Sequence, residues 1–591
     1  MRSCGIAGYR AAENLTFTLA SLTILKNKKN DIMKNLLRLL PIFFYSLSML
    51  PGATSNLETN IRHRIEKDLS PIIKADLVRL HLPGLSIALV MDGDIVWTRG
   101  FGFADREKKI PATPKTVYRV GSISKLFNAI AIMQQQEKGK LDIDADLREY
   151  LPYLDFKNPF DKPAVVTLRH LLSHRAGIWR ECPVGNYFDN TELSLEETVK
   201  SMSGTILVYP PGFKTKYSNI GVGIAGHVLE KVTKKDFTDC QKELVLKPLD
   251  MSSSSFLREN FMNNKIANGY MRDLEGKQWE APHFRFGYLP AANLYSTVID
   301  FSKFINFVLN EGKPILNSET FKEMLTVQFT DKKDSLGFGL GFSISKIHNL
   351  RSVGHGGAVY GFSSNLMIIP EKKLGIVICN NLDGANGFNY KIIYILSGIV
   401  LEEKTGQKIL SIPKTIEISQ PEVKKYEGKY ERNGVPVWLI LRNEKFYYKS
   451  YGIRKQLSQL SKKEFITDDL TGYGEKISIE ENGSVKGVYI NRNFYKKANE
   501  TEREKLSIPL LRNRLIGEYG PDYNIMKVYE KDGKLTVLIE WFYEYPLDHV
   551  EGLKFKFPDY GLYMDEEIVF KEKNGKIVEA IVGPVSFKRR I

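Results

Sequence analysis

YRVGSISKLFNAIAIMQQQ, residues Tyr118–Gln136, has the apolar spacing of a buried helix, yet it carries Ser122 at its start and Lys125 three positions on, sharing a face. A lysine buried there must shed water, which disfavours its charged form, so it either pairs with something or is held partly neutral for chemistry. A serine hydroxyl is a poor nucleophile until a neighbouring base takes its proton, and a desolvated amine one turn away can do so. Serine and lysine at this spacing are common, and a helix start with a snorkelling lysine is the plain alternative. The segments around the stretch decide between the two.

Downstream, YPPGFKTKYSNIGVGIAGHVLE places Tyr217-Ser218-Asn219 after a Pro-Pro-Gly turn and before an apolar helix, so a phenol and an amide stand at a loop-to-helix junction. Further on, His355-Gly356-Gly357 enters a strand, where glycines allow a substrate to approach the backbone. Two hairpins bracket these motifs. GLSIALVMDGDIVWTRGFGFAD turns at Asp92 to Asp94, and SSNLMIIPEKKLGIVICNNL turns at Pro370 to Lys373. A helix follows and ends at Gly406. Strands at both ends with helices between them predict an α+β domain over residues 57–405, an antiparallel sheet flanked by helices.

At 591 residues the chain exceeds one ordinary core, and its length predicts roughly three or four domains. A net charge of +15 invites a nucleic-acid reading, but lysines alternate with acids, as in VYEKDGKL, which is the pattern of a solvated surface; no nucleic-acid partner is expected. The stretch MKNLLRLLPIFFYSLSMLPGATSN has a basic start, an apolar run from Leu39 to Leu50 and small residues at Ala53 and Ser55. It reads as a secretory signal cleaved near Ser55, with Met33 as the true start, so residues 1–56 are taken as a leader to the periplasm or the medium, with no membrane span left in the mature chain. Cys182, Cys240 and Cys379 are too few and too widely spaced for a disulfide framework; Cys182 reads as a loop thiol, with a bridge to Cys240 as the alternative. His170 and His174 have the spacing of a metal pair but lack an accompanying glutamate, so no metal or other cofactor is expected.

Past a linker at 406–420 the chain turns to short β runs. YEGKYE is echoed by LIGEYG, and KISIEENGSVKGVYINRNFYKK by EIVFKEKNGKIVEAIVGPVSFKRR, at a period of roughly 90 residues. That length suits one small antiparallel barrel per copy, placed at 421–498 and 506–591.

Together the motifs resemble the serine β-lactamase and penicillin-binding protein superfamily, in the branch of class C β-lactamases, D-Ala-D-Ala carboxypeptidases, D-aminopeptidases and related esterases. The likeness runs from residue 83 to about 400 and includes GFGFADREKKIPATPKTVYRVGSISK, EKGKLDIDADLREYLP, VTLRHLLSHRAGI, PPGFKTKYSN, LYSTVIDFSKF and GFGLGF. It implies a β-lactamase/transpeptidase-like fold, with Ser122 as acylated nucleophile, Lys125 as its base or activator and Tyr217 as proton shuttle. Which of the two is the base stays open. Asn219 would hold the substrate amide, and the N–H groups of Ser122 and Ala358 would form the oxyanion hole. His355 and Gly357 occupy the strand where class C enzymes carry Lys-Thr-Gly. A histidine is only partly charged near neutrality, which weakens recognition of a substrate carboxylate. Histidine there, with two lipocalin-like barrels behind, is closest in plan to D-aminopeptidase. The implied activity is hydrolysis of a small amide, ester or D-amino-acid peptide. A β-lactamase or D-Ala-D-Ala carboxypeptidase is the alternative, and a non-catalytic sensor or binding protein is the alternative of another class.

Overall fold

A computed structural model describes residues 51–330, 336–498 and 513–590. The expected leader lies outside these residues, except that 51–56 open a helix, Pro51–Arg64.

The region before the C-terminal copies is built on one antiparallel sheet. Its strands are β1 (Gly84–Met91), β2 (Asp94–Asp105), β3 (Ile110–Pro111), β4 (Gly337–Phe338), β5 (Ser343–Ile347), β6 (Leu350–Val359), β7 (Phe362–Ile369) and β8 (Leu374–Asn380), in the order β3-β2-β1-β8-β7-β6-β5-β4. The first hairpin closes through Asp92 and Gly93, both with positive φ, as a two-residue turn that follows strand twist requires. β1 and β8 pair in the middle of the sheet and are buried along their whole length, which is why both read as unbroken apolar runs.

Four longer helices pack around this sheet: α1 (Ser124–Glu137), α2 (Asn219–Thr233), α3 (Val298–Leu309) and α4 (Asn386–Thr405). α1 is buried on nearly every side, and its Phe127 lies 4.8 Å from Phe304 of α3, ring centre to ring centre. The helix expected from Ser122 begins slightly later: residues Gly121–Ile123 form a 3-10 turn, and α1 proper starts at Ser124.

The first C-terminal copy is a closed eight-stranded barrel, from Gly428–Arg432 to Asn493–Lys497. The second differs from the single closed barrel expected: its nine strands divide into a four-stranded and a five-stranded sheet. The reason is local. Strands Tyr543–Pro546 and Asp548–Glu551 are one strand bent at Leu547, after a proline that has no N–H to give to a ladder. At the other seam the Gly520 N–H donates to Lys588 O at 2.8 Å and the Arg590 N–H to Glu518 O at 2.8 Å, so the ends still meet. The repeated motif has a shared job. Tyr430 OH donates to Tyr426 O at 2.6 Å, and Tyr519 OH to Leu515 O at 2.7 Å.

Candidate active site

The turn before α1 is shaped by Gly121, whose φ of 53° favours glycine and whose backbone lies against β6: a Cβ there would sit 2.8 Å from Ala358 N. The Ser122 turn therefore lies against the strand that carries His355, Gly357 and Ala358. Gly357 makes the same approach from its side, since a Cβ on it would fall 2.0 Å from Val120 O. β5 pairs with β6 only as far as Gly354, so the stretch from His355 to Val359 has no partner from β5.

Lys125 is 1% exposed, and its Nζ lies 3.0 Å from Ser122 Oγ, 2.9 Å from Asn219 Oδ1 and 2.9 Å from Ala291 O. Burial holds its pKa well below the ordinary lysine value; the nearby Arg180 charge lowers it further, while Glu181 opposes. Tyr217 OH donates to Ser122 Oγ at 2.9 Å. Burial pushes that phenol up to about 12, against the pull of Ser122 and Arg180. Ser218 caps α2 by accepting from the Gly221 N–H, which fixes Tyr217 on one side of the junction and Asn219 on the other. Asn219 Nδ2 donates to Glu181 Oε1 at 2.7 Å, so its oxygen faces Lys125. Ser122, Lys125, Tyr217 and Asn219 thus form one hydrogen-bonded cluster, and Ser122 and Tyr217 keep partial exposure.

His355 lies beside this cluster, its ring 6.3 Å from that of Tyr217. Its Nδ1 is 2.5 Å from Gly356 O, and its buried Nε2 has no hydrogen-bond partner among the described residues. Burial and the Lys125 charge lower its pKa to about 4. The partly charged histidine expected from the sequence is therefore a neutral one at neutral pH. His174, half of the suspected metal pair, packs on Tyr217 with ring centres 4.2 Å apart, and His170 Nδ1 takes part in the cap of a short helix at Thr167. Cys182, Cys240 and Cys379 are buried free thiols.

Sequence reasoning missed the buried charges that surround this cluster. Arg180, Glu181 and Lys216 are buried next to the cluster. Lys216 Nζ donates to Glu566 Oε1 at 2.7 Å, and Lys214 Nζ to Asp565 Oδ2 at 2.9 Å. Glu566 and Asp565 belong to the second C-terminal copy, which lies against the site. Phe188 packs on Phe587 at 4.7 Å and Trp279 on Trp541 at 4.8 Å, so the loops around 180–200 and 255–290 are walled by that copy. A pair of charged residues more than 300 positions apart leaves no local pattern to read.

A helix-flanked antiparallel sheet with a serine, lysine and tyrosine in mutual contact defines the class: the serine β-lactamase and penicillin-binding protein superfamily, a superfamily of serine hydrolases. The family model described as Beta-lactamase matches residues 59–397, more than half of the chain, and the chain belongs to that family. Protein flp of Staphylococcus aureus (strain N315) is 26% identical over 363 residues, 60% of this chain and 70% of that protein. Beta-lactamase-like protein 2 of Dictyostelium discoideum is 26% identical over 325 residues, 54% of this chain and 59% of that protein. Among solved structures, the octameric penicillin-binding protein homologue from Pyrococcus abyssi is similar in fold, with a TM-score of 0.52 and 24% identity over 81% of this chain and 99% of that one. Among the described residues no helix is long and apolar enough to cross a membrane.

Proposed function

We propose that the chain forms an acyl-enzyme on Ser122 and hydrolyses small amides or esters, D-amino-acid peptides among them, that carry no free carboxylate at the end lying beside His355. The observation that carries this reading is the placing of Lys125 Nζ and Tyr217 OH at 3.0 Å and 2.9 Å from one serine oxygen. A neutral lysine has two N–H bonds and one lone pair. The two carbonyl oxygens of Asn219 and Ala291 engage the N–H bonds, which leaves the lone pair for the Ser122 proton.

In the acylation step Ser122 Oγ bonds to the substrate carbonyl carbon as its proton passes to Lys125. The oxyanion so formed is met by the N–H groups of Ser122 and Ala358, each such donor being worth about 3–4 kcal/mol in transition-state stabilisation. Collapse breaks the bond to the leaving amine or alcohol, which takes its proton from Tyr217, and Tyr217 is reprotonated by Lys125. Water then cleaves the ester by the same route in reverse. A β-lactamase or carboxypeptidase needs a cation for the substrate carboxylate, and a neutral His355 supplies none. Export to the periplasm or medium is part of the proposal, and a mature N-terminus near residue 56 would support it.

The test is labelling by a fluorophosphonate, followed by turnover of p-nitrophenyl esters, D-Ala and L-Ala anilides and nitrocefin. Labelling that is lost in Ser122→Ala, with ester or D-Ala anilide turned over in preference to nitrocefin, is the expected result. Equal labelling of Ser122→Ala would sink it.

A further inference from the structure

Arg180 is 7% exposed and lies between the catalytic cluster and the second C-terminal copy. On the cluster side its guanidinium carbon is 5.9 Å from the centre of the Tyr217 ring. On the other side its terminal nitrogen is 3.5 Å from Glu540 Oε1, and its guanidinium is 5.8 Å from the Tyr563 ring. Tyr563 OH donates to the same Glu540 oxygen at 2.6 Å, which fixes the carboxylate. Glu181 Oε1, the acceptor from Asn219, is 3.5 Å from Arg180 Nε.

Glu540 is held there at a conformational cost. It opens the three-residue turn of Glu540, Trp541 and Phe542 between strands Lys534–Ile539 and Tyr543–Pro546, with φ of 52° at Glu540 and 68° at Trp541. Positive φ favours glycine and asparagine, and two bulky residues in succession there are strained. Contacts to the rest of the molecule offset that cost. Trp541 Nε1 donates to Tyr523 O at 3.2 Å, and its ring meets Trp279 edge-on. A turn that nothing required to face the cleft would be expected to use the cheaper residues.

We propose that Arg180 is a positioning residue for the Ser122–Lys125–Tyr217 cluster and that Glu540 of the second C-terminal copy holds it in place, so that this copy completes the active site. The idea rests on the acyl-enzyme reading above. A fixed cation at this place favours the proton-accepting forms of both partners of Ser122, the neutral amine and the phenolate. The other charges that face Arg180 are accounted for. Lys216 is paired with Glu566, and His174 is kept neutral by burial. Glu181 opposes Arg180 at Lys125, which leaves the balance to Glu540.

The experiment follows the rate of fluorophosphonate labelling of the full chain across about pH 5 to 10, a range that spans the titration of a general base. In that reaction the Ser122 Oγ–P bond forms, fluoride leaves, and the serine proton passes to Lys125. Arg180→Met is expected to label about tenfold more slowly. Its pH midpoint should move up by about one unit, because Lys125 then keeps its proton to higher pH. Arg180→Lys should restore the midpoint. Glu540→Gln should move the midpoint by less, and R180M/E540Q should match Arg180→Met, since Glu540 acts through Arg180. An unmoved midpoint in Arg180→Met, or losses that add in full in the double variant, overturns the proposal and leaves Arg180 a structural ion-pair residue. If Arg180→Met does not fold, Glu540→Gln decides: a moved midpoint supports the proposal and an unmoved one overturns it. Wild-type protein that is not labelled at Ser122 overturns the acyl-enzyme reading and this proposal together.

Discussion

Lys125 has three oxygen partners within 3.0 Å and almost no contact with water, so its proton count decides whether Ser122 is a nucleophile. Lys125→Met keeps the apolar stem and removes the amine; the labelling rate should fall about 10²–10⁴-fold, the usual share of a general base. His355 gives a second, sharper expectation. Because its pKa is about 4, it stays neutral from pH 5 upward and contributes no titration there. The acid limb of a rate profile should therefore persist in His355→Asn and belong to Lys125, whose pKa burial holds well below the ordinary lysine value. A limb that vanishes in His355→Asn would contradict this. At this scale the sequence was legible where chemistry sits in short motifs, as at Ser122-Lys125 and Tyr217-Asn219. Arg180 was not legible, because GIWREC has no periodicity or spacing that marks its arginine as buried.

Among the elements, β6 matters most, because its glycines set how near the strand comes to the Ser122 turn. Gly357→Ala would place a methyl 2.0 Å from Val120 O, and that contact can be relieved only by moving the strand or the turn. A displacement of about 1 Å at a reacting centre costs on the order of 10²-fold in rate. Gly357→Ala is expected to lose that much labelling while remaining folded, as near-UV circular dichroism would show; an unchanged rate would mean that β6 does not contribute to the oxyanion site. The hairpins were plain in the sequence because Asp92-Gly93 and Pro370–Lys373 carry their own turn chemistry. The bend in the second C-terminal copy was hidden although Pro546 is its visible cause. A proline at a strand end and a proline at a corner look alike until the neighbouring strands are known.

For the whole molecule, the decisive contacts are buried ion pairs between distant parts of the chain. Lys216 and Glu566 are 1% and 3% exposed, so removing one partner leaves a charge with neither water nor counter-ion. Lys216→Met should cost about 3–5 kcal/mol of stability, read as a fall in Tm, and K216M/E566Q should recover much of it. A Lys216→Met variant as stable as the parent would show that the two parts are not docked. The two copies are attached at different places. Asp468 of the first barrel meets Lys391 of α4 and Arg79, both at 2.8–3.0 Å, whereas the second copy supplies Glu540, Asp565 and Glu566 to Arg180, Lys214 and Lys216.

The tyrosine-to-carbonyl bond common to both copies has a consequence for their history. Tyr430 and Tyr519 still fasten the same corner of the same meander, as expected of one ancestral unit duplicated within the gene. Once doubled, one unit could go on serving as a brace while its twin was free to drift. The two now differ at the Glu540 turn and the Pro546 corner, and exchanging one for the other would strip Lys214 and Lys216 of Asp565 and Glu566.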